Sequence, residues 1–318
     1  MSDQPIRTVF MGTAGIAVPS LKALHADPRT EVLAVVSQPD RPKGRKLHLL
    51  PTDIHAAADS LGLPVLQPAR CREPGFLEEL RRLRPDVIAV MAYGQILPPA
   101  LLDLPRHGCL NVHTSLLPRH RGAAPIQWAI WDGDAETGVT IMRMDAGMDT
   151  GDILATARTP IQKDDDAASI HDRLAELGAD LLADTLPRHI AGEISPQAQD
   201  HALATHARKI SKEDGRLDWQ RSATALWHQV RALTPWPGTW CHWHHAGRPS
   251  LLKVWKAAPV DAPNVIPGQV MKADREGLDI VCGEGALRLL EVQKEGGRRM
   301  SSPEFLAGNP LGVGDRLD

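Results

Sequence analysis

At 318 residues the chain is long enough for two domains of ordinary size, each with its own core. Apolar residues at 42% and charged residues at 24% are the balance of a folded globular protein, and 26 glycines and 26 prolines without a period exclude a collagen-like chain. The net charge of −3 excludes a uniformly cationic nucleic-acid binder, and the four cysteines (Cys71, Cys109, Cys241, Cys282), with no CxxC pair, suggest neither a zinc knuckle nor a disulfide framework.

The amino terminus, MSDQPIRTVFMGTAG, fits neither a signal peptide nor a transit peptide, and no apolar run approaches the ~20 residues of a membrane helix. A cytoplasmic protein without membrane attachment is the expectation, with no metal and no obligate protein partner implied. From Thr8 onward, short β-branched runs alternate with amphipathic stretches, the pattern of a doubly wound α/β domain with a parallel sheet. Strands are predicted from Thr8 to Met11, Val32 to Ser37, Val87 to Met91 and Leu110 to His113. Helices are predicted from Val18 to His25, Ile54 to Leu61 and Gly75 to Leu83, the last stopped by Pro85. Gly138 to Met144 and Ile153 to Ile161 read as a strand pair extending the sheet, followed by a helix from Ala167 to His189.

The stretch AGEISPQAQDHALATHARK is small, polar and weakly periodic, a linker composition. Beyond Lys209 a helix from Ala223 to Ala232 precedes five short β-like runs, Gly238 to His244, Leu251 to Ala257, Gly268 to Met271, Leu278 to Val281 and Ala286 to Val292, which suggests a small barrel. The expected division is therefore 1–190, a linker at 191–208, and 209–318. Net charge is −5 up to residue 208 and +2 beyond it.

Three segments carry candidate chemistry. In GCLNVHTSLLPRHRGAAPIQWAI, Asn111 and His113 lie one strand period apart at the carboxyl end of a strand, where open α/β sheets bind ligands. An amide donor beside an imidazole suits stabilisation of an oxyanion in acyl transfer, although a core histidine and a turn-forming asparagine fit the segment equally well. In MRMDAGMDTGDIL, Asp145, Asp149 and Asp152 sit in a glycine-flanked loop that can bring a carboxylate to a substrate, or be a solvated surface turn; it lacks the ligand order of an EF-hand. DRPKGRKLHLLP places Arg41, Lys43, Arg45 and Lys46 in a stretch unable to form a continuous helix, a loop suited to phosphates or simply a solvated one. The GTAGIAVPSL loop after the first strand is not GxGxxG, so a nicotinamide cofactor is disfavoured. Of the tryptophans, Trp236 and Trp240 are expected to pack at the domain junction.

NVHTSLLPRHRGAAPIQ followed by DAETGVTIMRMDAGMDTGDIL resembles the folate-dependent formyltransferases, and QPDRPKGR, GLPVLQP, AYGQILP, KISKEDGRLDW and TPWPGTW extend the resemblance along essentially the whole chain. It implies a Rossmann-like formyltransferase domain followed by a small OB-fold-like β-barrel that binds tRNA. It implies 10-formyltetrahydrofolate as donor, and as acceptor the free amine of methionine carried on initiator tRNA, attacked through a tetrahedral intermediate. It places the catalytic set on Asn111, His113 and Asp149, with Asp149 assisting proton transfer. The folate-contacting turn falls on Ser115, Leu116, Leu117 and Pro118, and tRNA contact on Arg41, Lys43, Arg45 and Lys46. Ala14 and Ile16 depart from the proline and aromatic usual in the family's first loop, and Leu47 and His48 stand where lysines are common. Sugar-nucleotide formyltransferases generally lack the basic insertion, and glycinamide ribonucleotide formyltransferase and formyltetrahydrofolate hydrolase lack the second domain. A nucleic-acid-binding module on a catalytically silent scaffold is the alternative from another class.

Overall fold

The structure is a computed structural model that describes residues 4–43, 48–245, 248–262, 266–309 and 311–318. It divides into two compact units, one of Met1–Pro125, Glu136–Pro160 and His171–His206, the other of Ile126–Ala135, Ile161–Ile170 and Ala207–Asp318.

The first unit is built on a seven-stranded sheet of β1 (Ile6–Gly12), β2 (Thr30–Val36), β3 (Val65–Leu66), β4 (Val87–Met91), β5 (Cys109–His113), β6 (Glu136–Arg143) and β7 (Ile153–Pro160), in the order β7-β6-β5-β4-β1-β2-β3. β1 to β5 pair in parallel, and β6 and β7 add an antiparallel edge. β4 is buried at every residue because both faces of a parallel sheet are covered, which is why it reads as the unbroken apolar run VIAVM. The helices are α1 (Val18–Ala26), α2 (Asp53–Ser60), α3 (Pro74–Leu83), the short α4 (Pro99–Leu102), α5 (Pro125–Trp131), shared with the second unit, and α6 (Ala167–Ile190). α2 starts where Thr52 caps the His55 N–H, and α3 ends on Arg84 in the left-handed region. α6 lies close on the sheet at Gly178, where a Cβ would stand 3.0 Å from Val112 Cγ1.

At the carboxyl edge of the parallel strands the loops are tied together. Thr13 Oγ1 and Gln38 Nε2 both donate to the Tyr93 carbonyl, at 2.9 and 2.8 Å, and Gln67 Nε2 donates to the Gln38 carbonyl at 3.0 Å. Asp40 receives the Thr52 N–H at 3.2 Å and the Gln67 amide at 2.8 Å, which anchors the base of the antiparallel hairpin formed by Arg41–Lys43 and His48–Leu50.

In the second unit, α7 (Ala223–Leu233), capped by Ser222, packs on an antiparallel sheet of β8 (Thr239–His245), β9 (Arg248–Val260), β10 (Val270–Asp274), β11 (Gly277–Val281) and β12 (Ala286–Lys294), with β13 (Arg299–Ser301) paired to β12. α8 (Ser302–Gly308) begins with a capping box made by Ser301 and Glu304. The sheet order β8-β9-β12-β11-β10 leaves two edges, and the end of the chain fills the gap between them. Trp243 pairs with Leu317 and Gln269 with Arg316, and His242 and Asp318 exchange backbone hydrogen bonds at 2.9 and 3.0 Å. A closed barrel results, filled by Trp219, Trp243, Leu226, Leu278, Leu289 and Phe305. Residues 126–135 and 161–170 join this unit through side chains: the Trp128 indole donates to the Arg208 carbonyl at 2.9 Å, and Arg231 donates to the carbonyls of Gln162 and Asp165. Trp236 is 54% exposed on its turn between Pro235 and Pro237, so it does not serve the packing role expected of it.

Candidate active site

β5 brings Asn111 and His113 to its carboxyl end, in register with Met142 and Thr140 of β6. His113 is buried and Asn111 half-buried. The Asn111 side-chain amide has no hydrogen-bond partner among the described residues. His113 is held from two sides: its Nε2 faces the His120 carbonyl oxygen at 3.0 Å, and its Nδ1 faces Asp149 Oδ1 at 3.7 Å. A carbonyl can only accept, so Nε2 carries a proton. A second proton on Nδ1 would make the ring an imidazolium facing a carboxylate.

Asp149 lies in the loop between β6 and β7 with its backbone at φ 53°, a left-handed conformation that Asp tolerates better than most residues. Its other carboxylate oxygen receives the Gly122 N–H at 2.8 Å. Of the three acids in this loop, only Asp149 reaches His113. Asp145 braces the loop itself, accepting from Gly147 N at 3.0 Å and Thr150 Oγ1 at 2.7 Å. Asp152 is exposed. Gly151 is required where it stands, because a Cβ there would fall 1.8 Å from the Arg143 carbonyl oxygen.

The SLLP segment forms a turn with a cis Leu117–Pro118 bond. Ser115 and Leu117 are buried, and their polar groups are spent internally: Ser115 Oγ donates to the Arg119 carbonyl at 2.7 Å, while Thr140 Oγ1 receives Leu117 N at 3.1 Å and donates to the Ser115 carbonyl at 2.7 Å. Leu116 and Pro118 are half-buried and keep surface to offer a ligand. Arg41 is exposed and its Nη2 donates to Gln38 Oε1 at 3.0 Å. Lys43 belongs to the hairpin strand, and Arg45 and Lys46 lie outside the described residues. A cavity of about 490 Å³ opens at the opposite end of β5, lined by Leu102, Gly108, Arg143, Asp145 and Asp152 among others, and includes none of Asn111, His113 and Asp149.

Residues 6–186 match the family described as Formyl transferase, and residues 209–310 the family described as Formyl transferase, C-terminal domain. The methionyl-tRNA formyltransferase of Citrifermentans bemidjiense is 48% identical over 98% of this chain and 96% of its own length. The chain belongs to the methionyl-tRNA formyltransferase family. A second member, from Caldanaerobacter subterraneus, is 47% identical over 98% of this chain and 100% of its own length. Among solved structures, an N-formyltransferase from Helicobacter canadensis, in complex with folinic acid and dTDP-3-aminofucose, superposes with a TM-score of 0.64 at 19% identity, covering 91% of this chain and 99% of that one. HypX from Aquifex aeolicus, in complex with tetrahydrofolic acid, superposes with a TM-score of 0.62 at 19% identity, covering 99% of this chain and 51% of that one. At such identities the likeness is one of fold. A formyltransferase of this family takes formyl-tetrahydrofolate as co-substrate.

Sequence reading missed several residues that hold this site. His120 supplies the carbonyl to His113 Nε2, and its own N–H donates to Thr205 Oγ1 at 2.8 Å. Gln199 and Thr205 come from the stretch read as a linker, yet Gln197 pairs with Ile153 at the start of β7, and the Thr205 carbonyl receives Arg121 N at 2.9 Å. No periodicity marks these residues, because each acts through long-range hydrogen bonds rather than through a repeating face.

Proposed function

We propose that the chain transfers a formyl group from 10-formyltetrahydrofolate to the amino group of methionine on initiator tRNA, with residues 1–190 as the catalytic domain, 191–208 as a connecting segment and 209–318 as the RNA-binding barrel. The observation that carries the reading is the juxtaposition at the end of β5: an Asn111 amide with no partner among the described residues, beside a buried His113 that faces the Asp149 carboxylate. The match to both formyl transferase families supports it, as do the relatives named for charged methionyl-tRNA.

The folate co-substrate supplies an electrophilic formyl carbon. As the amine attacks it, negative charge grows on the formyl oxygen, and the Asn111 amide is free to donate to that oxygen. His113 lies between the His120 carbonyl and the Asp149 carboxylate, so an imidazolium formed there would place positive charge beside the same centre. The attacking nitrogen must lose a proton while the bond from the formyl carbon to the folate nitrogen breaks and that nitrogen gains a proton, and Asp149, directly or through water, is the base within reach of His113 to relay it. No side chain needs to become acylated, and the four cysteines are all buried. Leu116 and Pro118 offer the half-buried surface of the folate turn, with Ser115 and Leu117 setting its shape. Arg41, Lys43, Arg45 and Lys46 are assigned to acceptor-stem phosphates. Among the described residues no helix is long and apolar enough to cross a membrane, and the proposed place of action is the cytoplasm, where charged tRNA is available.

The test is transfer of labelled formyl from formyltetrahydrofolate to methionyl initiator tRNA, run beside methionyl elongator tRNA and an amino-sugar nucleotide. Label on initiator tRNA alone supports the reading, label on the sugar nucleotide replaces it, and no transfer to any acceptor with folded protein leaves a silent scaffold.

A further inference from the structure

Gln199 lies between the two stretches that match the formyl transferase families and is only 6% exposed. Its Nε2 donates to the carbonyl oxygens of Asp149, at 2.9 Å, and Gly151, at 2.6 Å. Its Oε1 accepts from Arg121 Nε at 3.1 Å and Nη2 at 2.6 Å. A primary amide has two N–H donors and two lone pairs on oxygen, so this side chain is saturated. Arg121 is likewise buried, and its Nη1 faces His201 Nδ1 at 3.2 Å.

What this amide joins is the seat of one carboxylate. On one side is the backbone of Asp149, held left-handed at φ 53° in an otherwise exposed loop. On the other is Arg121, whose neighbour Gly122 donates the N–H that orients Asp149 Oδ2. With Asp149 at 3.7 Å from His113 Nδ1, a small shift of the loop moves the carboxylate out of reach of the ring. We propose that Gln199 is a positioning residue for formyl transfer that acts through Asp149, an inference that rests on the function proposed above. Its residue type follows from the four bonds. Glutamate would keep the length and the Arg121 pair but present a lone pair where two carbonyl oxygens need donors. Leucine would leave the buried guanidinium without its acceptor, and asparagine is one methylene short of spanning both partners.

The experiment compares the full-length chain with Gln199→Glu, Gln199→Leu, Asp149→Asn and the double variant Gln199→Glu/Asp149→Asn. It measures formyl transfer to methionyl initiator tRNA and the ring nitrogen NMR signals of His113. The expected result for Gln199→Glu is a turnover lowered by roughly 10- to 100-fold, the scale of an ångström-sized misplacement, with the KM for both substrates changed by less than about twofold. The His113 signals should move in the sense seen in Asp149→Asn, and the double variant should lose no more than Asp149→Asn alone, because residues acting as one unit are not additive. Folded Gln199→Glu with wild-type turnover, unmoved His113 signals, or losses that multiply in the double variant would overturn the proposal. Should Gln199→Leu fail to fold, the glutamate variant, which retains the bond to Arg121, decides alone. If the wild-type chain formylates no charged tRNA, the functional reading fails, and the His113 signals still decide whether Gln199 positions Asp149.

Discussion

Replacing Asp149 with asparagine isolates the charge at the centre of the site from its shape. Asparagine tolerates the left-handed backbone as well as aspartate does, and its side-chain oxygen can still receive the Gly122 N–H. Its amide would then face His113 Nδ1, and a neutral ring, donating from Nε2 to the His120 carbonyl and accepting at Nδ1, satisfies every bond. What disappears is the attraction between carboxylate and imidazolium. At the 3.7 Å separation seen here, and an effective dielectric constant of about 20, that attraction is roughly 4 kcal/mol. The Asp149 side chain is 16% exposed, so water weakens the pair, and about 2–3 kcal/mol remains as the stake in the transition state. Turnover should therefore fall by roughly 30- to 150-fold. The assay is single-turnover transfer of labelled formyl at saturating donor and charged tRNA, with a thermal melt of each protein to show that the variant is folded. A folded Asp149→Asn enzyme within about threefold of wild type would refute the reasoning, because the charge would then contribute less than 1 kcal/mol.

Asn111→Ala removes the free amide and should lower turnover by on the order of 100-fold or more while leaving the melting temperature unchanged, as expected for the loss of one oxyanion donor; stopped-flow transfer checks the first and calorimetry the second. Neutralising Arg41, Lys43, Arg45 and Lys46 together should raise the apparent KM for charged tRNA without changing folate affinity, and flatten the log-log salt dependence of RNA binding by roughly 0.7 to 0.9 per lost phosphate contact. Burial pushes the Cys109 and Cys282 thiols up to about 12, so the folded chain should resist maleimide near neutral pH and take up label only on denaturation, as read by mass spectrometry. The Arg208 guanidinium and the Ser211 N–H and hydroxyl hold the Asp214 carboxyl far below the usual carboxylate range. A lowered folded value means that this contribution is present above about pH 4 and is lost as the pH falls below it, so an Asp214→Asn variant should lose less stability than wild type on acidification in a urea titration.

How much was legible in the sequence depended on whether a residue's role was written in its neighbours. The parallel strands declare themselves as apolar runs because the sheet is covered on both faces: Val87 to Met91 is legible to the residue, while the run from Thr8 begins two residues after the strand's start at Ile6. Asn111 and His113 were legible as a pair because a strand repeats every two residues, and the glycines around Asp149 marked its loop as tightly turned. Gln199 was invisible for the opposite reason: it sits in a segment without period, and its value lies in four hydrogen bonds to residues 48 to 78 positions away. The triplet Asp145, Asp149, Asp152 could not be resolved from spacing, since which acid reaches His113 is decided by the left-handed turn at Asp149. The brief strand Arg299–Ser301 and the helix Ser302–Gly308 passed unread, being too short to carry a pattern even though the latter opens with the capping sequence SSPE.

The strap of residues 314–318 that seals the barrel also sets a schedule for how this protein is made. Every other strand of the second unit has left the ribosome before it, yet the edge of β8 beyond Trp240, and that of β10, stay unpaired until Arg316, Leu317 and Asp318 arrive. A nascent chain thus carries a hydrophobic filling that still lacks Leu317 behind an open seam, the condition in which exposed strand edges recruit one another. Truncation by a handful of residues would make that transient condition permanent. A chain cut after Val313 should express as aggregate while its first unit, complete by His206, still folds.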